Sequence, residues 1–200
     1  MSGIIAQNTL DNSGLIKAPE GGGAWNFISK QTASSDSTID FTSGIDSTYK
    51  EYLFTFNNIH PSGDTYNFTV NFRDGGSAYD ATKTSTYFQS YHMESDGEAG
   101  QAYVAGADLA QSTSADIIGG AIGSDNDQCC SGYLHLFDPS STTFVKHYIG
   151  EICASQYQDY STRYNFAGYC NVTAAIDGVQ FAMSSGDIDT GDICLYGLTT

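Results

Sequence analysis

The side chains with chemistry to offer are four histidines, five cysteines and a large excess of carboxylates. His60, His92, His135 and His147 stand singly, and no two sit at i, i+2 or i, i+4, the spacing of a local metal-ligand pair. His135 and His147 would face one another if residues 133–137 and 144–153 form a hairpin. A hydrogen-bonded histidine on a sheet surface is the simpler reading of each. Cys129, Cys130, Cys153, Cys170 and Cys194 are odd in number, two are vicinal, and no C-x-x-C spacing occurs, which disfavours a zinc ribbon. Reduced thiols packed in strands are expected, with Cys153–Cys170 or Cys170–Cys194 as the alternative bridges. Two acidic loops, Ser124–Asp127 and Asp187–Asp192, are weak calcium candidates. Asp187, Asp189 and Asp192 imitate the start of an EF-hand loop, but Gly191 stands at its fifth position and no glutamate follows at the twelfth. No metal or other cofactor is expected.

Nor does a catalytic constellation assemble. Among 23 carboxylates, some pair will lie at the spacing of a glycosidase acid and base by chance. A Gly-x-Ser-x-Gly elbow is missing, and Gly119-Gly120-Ala121-Ile122-Gly123-Ser124 lacks the lysine of a P-loop. The 14 tyrosines could form a platform for stacking sugars, although aromatics are also the ordinary filling of a small β core. The expectation is a structural or binding protein, not an enzyme.

Charge narrows the partners. Seven Lys and Arg against 23 Asp and Glu give a net charge of −16. A nucleic acid needs clustered cations to displace its counterions, so it is not an expected partner. An anionic membrane is disfavoured on the same ground. No apolar run approaches the roughly 20 residues of a spanning helix, and Met1–Asn8 has neither a basic start nor a long apolar core, so membrane insertion and a signal peptide are not expected.

The elements that must position these groups read as strands. Tyr66, Phe68, Val70 and Phe72 alternate with polar residues, as do Tyr52, Phe54 and Phe56, and the loop between them holds Pro61 and Gly63. That pattern predicts an antiparallel pair. On 86–93, Tyr87, Gln89, Tyr91 and Met93 share one face. A short helix is expected at most around 105–110. The closing stretch alternates Val179, Phe181 and Met183, breaks at a Gly/Asp/Ser loop, and resumes with Ile193 and Leu195. It predicts a terminal hairpin that closes the sheet, its aspartates on the tip.

Nine or ten short strands at roughly ten-residue spacing imply an all-β, antiparallel β-sandwich, jelly-roll-like, over residues 24–200. Its expected core includes Trp25, Phe54, Phe56, Phe68, Val70, Phe72, Val179, Phe181, Ile193 and Leu195. Residues 1–23 differ. They end in Gly21-Gly22-Gly23 and carry Ile4, Ile5, Leu10, Leu15 and Ile16, the signature of an extended N-terminal arm that docks on something else.

The runs Ala24–Phe41, Tyr49-Lys50-Glu51-Tyr52-Leu53-Phe54, and Ile188–Leu198 with its Gly-Asp-Ile-Cys-Leu-Tyr-Gly ending resemble virion proteins of tailed bacteriophages, of the marine and cyanobacterial-phage type. The resemblance spans most of 24–198 and rests on strand patterns. It implies a viral structural protein of decoration or fibre type, made in the host cytoplasm and carried on the virion surface, with other capsid or tail proteins as partners. It also implies a closed homo-oligomer, a trimer being favoured. Two roles follow: a capsid decoration or cement protein attached through residues 1–23, or a tail fibre or adhesin module that binds host surface glycan.

Overall fold

The computed structural model describes residues 24–199. The expected arm, with Ile4, Ile5, Leu10, Leu15 and Ile16, lies outside the described residues. Among those residues the chain is all strand and turn. In order come β1 (Trp25–Asp36), β2 (Ile39–Phe41), β3 (Glu51–Pro61), β4 (Tyr66–Arg73), β5 (Lys83–Met93) and β6 (Ala99–Tyr103). Then follow β7 (Asp116–Ile122), β8 (Cys130–Phe137), β9 (Lys146–Gln156), β10 (Tyr160–Cys170), β11 (Gly178–Met183) and β12 (Ile188–Leu198). Residues 105–107 form a turn and 108–110 are irregular, where a short helix was expected around 105–110.

All pairings are antiparallel, in the order β1-β12-β3-β8-β9-β7-β4-β11-β2. The two ends of this path are consecutive in the chain, so the sheet comes close to closing on itself and is barrel-like. Strand β10 leaves the path at β9, and β5 and β6 follow it outward. The link from β9 to β7 is a single pair, Gln156 with Ile122.

Two expected hairpins are corrected by this pairing. β3 bonds to β12 and β8, and β4 to β11 and β7; β11 and β12 likewise have no pairing with each other. Both short loops are arches that carry the chain across the interior. They nest side by side: Ser62 N donates to Asp187 O at 3.0 Å, and Asn67 N donates to Ser184 Oγ at 2.9 Å.

The interior is aromatic. Phe181 lies at the centre of a ring cluster, with centroids 5.3 Å from Phe54, 5.1 Å from Phe56, 5.7 Å from Phe68 and 6.2 Å from Phe41. Val70, Phe72, Val179, Ile193 and Leu195 are buried with it. Rings also fill the space over glycines on neighbouring strands. A Cβ on Gly150 would stand 2.3 Å from Phe166 Cζ, and one on Gly168 would stand 2.4 Å from the Tyr148 hydroxyl. Trp25, expected in the core, is instead 39% exposed. The cause is a β-bulge between Phe27 and Ser29. One inserted residue reverses the alternation, so Ala33 points inward while Trp25 and Phe27 point out.

Three charged groups are buried among these rings. Lys83 Nζ donates to Asn71 Oδ1 at 2.5 Å and to Ala81 O at 2.9 Å; Lys146 Nζ donates to Val172 O at 2.9 Å and to Ala174 O. The two lysines flank Cys170 in register, and burial pushes its thiol up to about 12. Asp116 accepts from Ser85 Oγ at 2.7 Å and from Tyr148 OH at 2.6 Å. Burial raises its carboxyl above the ordinary 3.8.

Asp116→Ala strips the acceptor from two buried hydroxyls. At about 1–3 kcal/mol for each group left unsatisfied, a loss of roughly 2–6 kcal/mol is expected by urea denaturation at pH 7. Asp116→Asn keeps an acceptor and is expected to cost far less. A carboxyl whose folded pKa is raised favours the fold most below 3.8 and loses that advantage as pH rises towards the folded value. The stability of the wild type relative to Asp116→Asn should therefore fall as pH rises from about 3.8.

Candidate functional site

Two surfaces offer something beyond a closed core, and the register builds both. The first is the inner wall of β9, β10 and β5 that faces β7, whose last residue, Ile122, pairs with Gln156 at the end of β9. Successive cross-strand sets there are Phe166 with Tyr87, Ile152 with Tyr164 and Gln89, Ala154 with Thr162 and Tyr91, and Gln156 with Tyr160 and Met93. The face Tyr87-Gln89-Tyr91-Met93 is the one the alternation predicts. Strand β7 lies over the Tyr87 and Tyr164 hydroxyls, and a cleft lies between it and this wall.

Its deep part is a cavity of about 320 Å³ roofed by Val104, Gly106 and Ala107. Tyr87 is only 2% exposed, yet its hydroxyl has no hydrogen-bond partner. The Tyr164 hydroxyl donates to Gly120 O at 2.5 Å and accepts from Gln156 Nε2. Burial raises both phenols, Tyr164 to about 12, so both are neutral donors at physiological pH. Gly120 lets the β7 backbone come up against both: a Cβ there would lie 3.2 Å from the Tyr87 hydroxyl and 3.5 Å from that of Tyr164. Its neighbour Ala121 has φ +47°, and Ala121 N donates to Asn67 Oδ1 at 2.9 Å. A non-glycine residue in that region is a strained conformation held by its surroundings.

The outer part, about 170 Å³, shares Gln89 and Gln156 with the deep part and adds Tyr91, Glu98, Gln158 and Tyr160. Tyr91 and Tyr160 meet edge to face at 5.7 Å, and both hydroxyls donate to Glu98, at 3.2 and 2.9 Å. The two rings are thereby fixed at the mouth. No basic side chain is among the residues lining either part, and Glu98 is the sole carboxylate among them.

The second surface is the outer face of β1-β12-β3-β8-β9-β10-β5-β6. One row across it reads Phe27, Tyr196, Leu53, His135, Ile149, Ala167, Thr86; the next reads Cys194, Thr55, Tyr133, Glu151, Asn165, Phe88, Tyr103. Phe27 is 60% exposed, and Tyr133, Phe137, Phe88 and Ile149 are exposed as well. Shallow depressions of about 500 and 450 Å³ lie between these side chains. Apolar side chains standing together on an outer sheet face mark a contact surface more often than chance.

The remaining candidates are dispersed. Asp189 and Asp192 fall inside β12, not on a loop tip. Asp189 accepts from Ser35 Oγ at 2.8 Å, and Asp192 from Thr32 Oγ1 at 2.5 Å and Lys30 Nζ at 3.1 Å; those bonds hold Asp192 below the ordinary carboxylate range. Asp187 contributes its backbone N–H to Ser62 Oγ at 2.9 Å. No three His, Cys, Asp or Glu among the described residues converge as a metal site. His135 Nδ1 lies 2.6 Å from Glu51 Oε1, and His147 is on the same outer face two residues along the β8–β9 hairpin register. His92 is hydrogen-bonded to Asp96. All five cysteines are free; Cys153 is exposed on the outer face while Cys170 is buried inside, so the two thiols point to opposite faces. The cleft residues Tyr160, Tyr164, Gln156 and Glu98 were missed by sequence reasoning, since only strand pairing brings them beside Tyr87 and Tyr91.

These features define an all-β protein with an open aromatic face and a tyrosine-lined cleft free of basic side chains. No protein-family model matches the chain, and no curated protein matches it.

Proposed function

We propose that this chain is a non-enzymatic structural component of a phage virion, a capsid decoration or cement protein that docks through residues 1–23 and through contacts with further copies, as a trimer in the favoured case. The observation that carries the reading is the exposed aromatic outer face, which a partner subunit would cover. Strand β1, which follows residues 1–23 in the sequence, is the edge of that face. The strand order supports a jelly-roll sandwich: β1-β12-β3-β8 and β2-β11-β4-β7 are two four-stranded halves of that topology, with β5–β6 and β9–β10 as insertions. The net charge of −16 keeps such particles apart in solution.

The test is cryo-microscopy of the particle together with binding of a chain that lacks residues 1–20. Many copies on the head, and a folded but non-attaching truncation, are the expected results. Density confined to the tail tip would overturn the decoration reading. The alternative role, a tail fibre or adhesin module at the virion surface, is favoured by one observation, the cleft lined by Tyr87, Tyr91, Tyr160 and Tyr164.

A further inference from the structure

We infer that the cleft between β5, β10 and β7 is a binding site for a neutral oligosaccharide. The inference rests on the adhesin reading for its biological setting only; the chemistry stands on the cleft itself. Three observations carry it.

The first is the orphaned Tyr87 hydroxyl. A buried hydroxyl without a partner costs free energy, and a fold tolerates it where something else supplies the hydrogen bond. Tyr87 lines the cavity, and Gly120 brings the β7 backbone close to its hydroxyl and that of Tyr164.

The second is the donor and acceptor set. Asn67, Gln89 and Gln156 bring amides, and Tyr87 and Tyr164 bring phenols. With the Tyr164 proton, Gln156 Nε2 and Asn67 Oδ1 engaged within the fold, Tyr87 OH, the Gln89 amide, Asn67 Nδ2 and Gln156 Oε1 together still offer donors and acceptors, as a sugar hydroxyl does. A phosphate, sulfate or uronate would need a cation, and none is among the lining residues. The class of ligand is therefore polar, uncharged and rich in hydroxyls.

The third is the shape. The deep cavity adjoins, across Gln89 and Gln156, an outer part where Tyr91 and Tyr160 are held by Glu98. A sugar ring has apolar faces and polar edges, so an aromatic mouth ahead of a polar cavity suits a chain of sugars entering end-on. With Glu98 as the one carboxylate among the lining residues, the acid–base pair of a glycosidase is missing from the cleft, and the reading is binding without hydrolysis.

The experiment is saturation-transfer NMR and calorimetry on the full chain with neutral hexasaccharides of β-1,4-glucan, β-1,3-glucan and α-mannan, and with an alginate hexamer as the charged control. Saturable binding of at least one neutral hexasaccharide, tighter than alginate, is expected. Tyr87→Phe should weaken it about three- to tenfold, the worth of one hydrogen bond. The same change should leave thermal stability equal or higher, because it removes an unsatisfied buried group. Tyr91→Ala, at the mouth, tests the site without touching the interior and should weaken binding as well. No binding of any of the three, a preference for alginate, or affinities unchanged in both variants would overturn the assignment. Where the protein sits on the particle is measured separately, so failure of the adhesin reading and failure of the site are distinguishable.

Discussion

Ending the chain at Gly186 is expected to give an insoluble or unfolded product. Strand β12 is the joint of the fold: it pairs with β1 from Ile188 to Leu198 and with β3 over the same span. Its removal opens the path between them and turns β3 into an edge. It also takes away Ile188, Ile193 and Leu195, all buried. At about 1.5–3 kcal/mol for each buried aliphatic side chain, these three alone contribute roughly 5–9 kcal/mol. That is most of the roughly 5–15 kcal/mol by which a domain is stable at all. β3, paired then only with β8, would further expose a long apolar edge, a template for aggregation. The measurement is soluble yield and the cooperativity of thermal melting for residues 1–186 beside the full chain. A soluble 1–186 fragment with a cooperative melt would contradict this account of β12.

Phe181→Ala is expected to be the most damaging single substitution in the interior. Four other rings meet Phe181, from β2, β3 and β4, so the cavity it leaves is walled by side chains anchored on three strands and cannot collapse readily. Phe→Ala in a core costs about 3–5 kcal/mol. For a domain of this size that lowers Tm by roughly 6–20 °C. Phe27→Ala, on the exposed outer face, should change stability by less than about 0.5 kcal/mol and serves as the control. Denaturant titration of both variants checks the contrast. A Phe181→Ala loss below about 1 kcal/mol would mean that the aromatic cluster is not the centre of the fold.

Particular elements mark how far sequence reasoning reached. Val179, Phe181, Ile193 and Leu195 are buried, as period-two alternation predicts for one-sided strands. The face Tyr87-Gln89-Tyr91 was legible for the same reason. The partners of those strands were not. A short Gly- and Asp-containing loop suits a hairpin and an arch equally well, because local turn chemistry sets the bend and not the layer that the chain enters next. So β3–β4 and β11–β12 read as pairs and are crossings. Trp25 shows a second limit: one bulged residue reverses the alternation, and nothing in Trp25-Asn26-Phe27-Ile28-Ser29 announces it.

By itself, then, the sequence determined the strand character of the chain, the aromatic nature of its interior, its acidity, and the scattering of its histidines and aspartates. Those properties are local or compositional. Only the tertiary structure decided that Tyr87 and Tyr91 share a cleft with Tyr160 and Tyr164, about seventy residues or more away in sequence, and that Gly120 of β7 comes up against the Tyr87 and Tyr164 hydroxyls. Strand pairing is a long-range choice made by how rings fit over glycines and against one another. The site that carries the most chemistry here is a product of that choice.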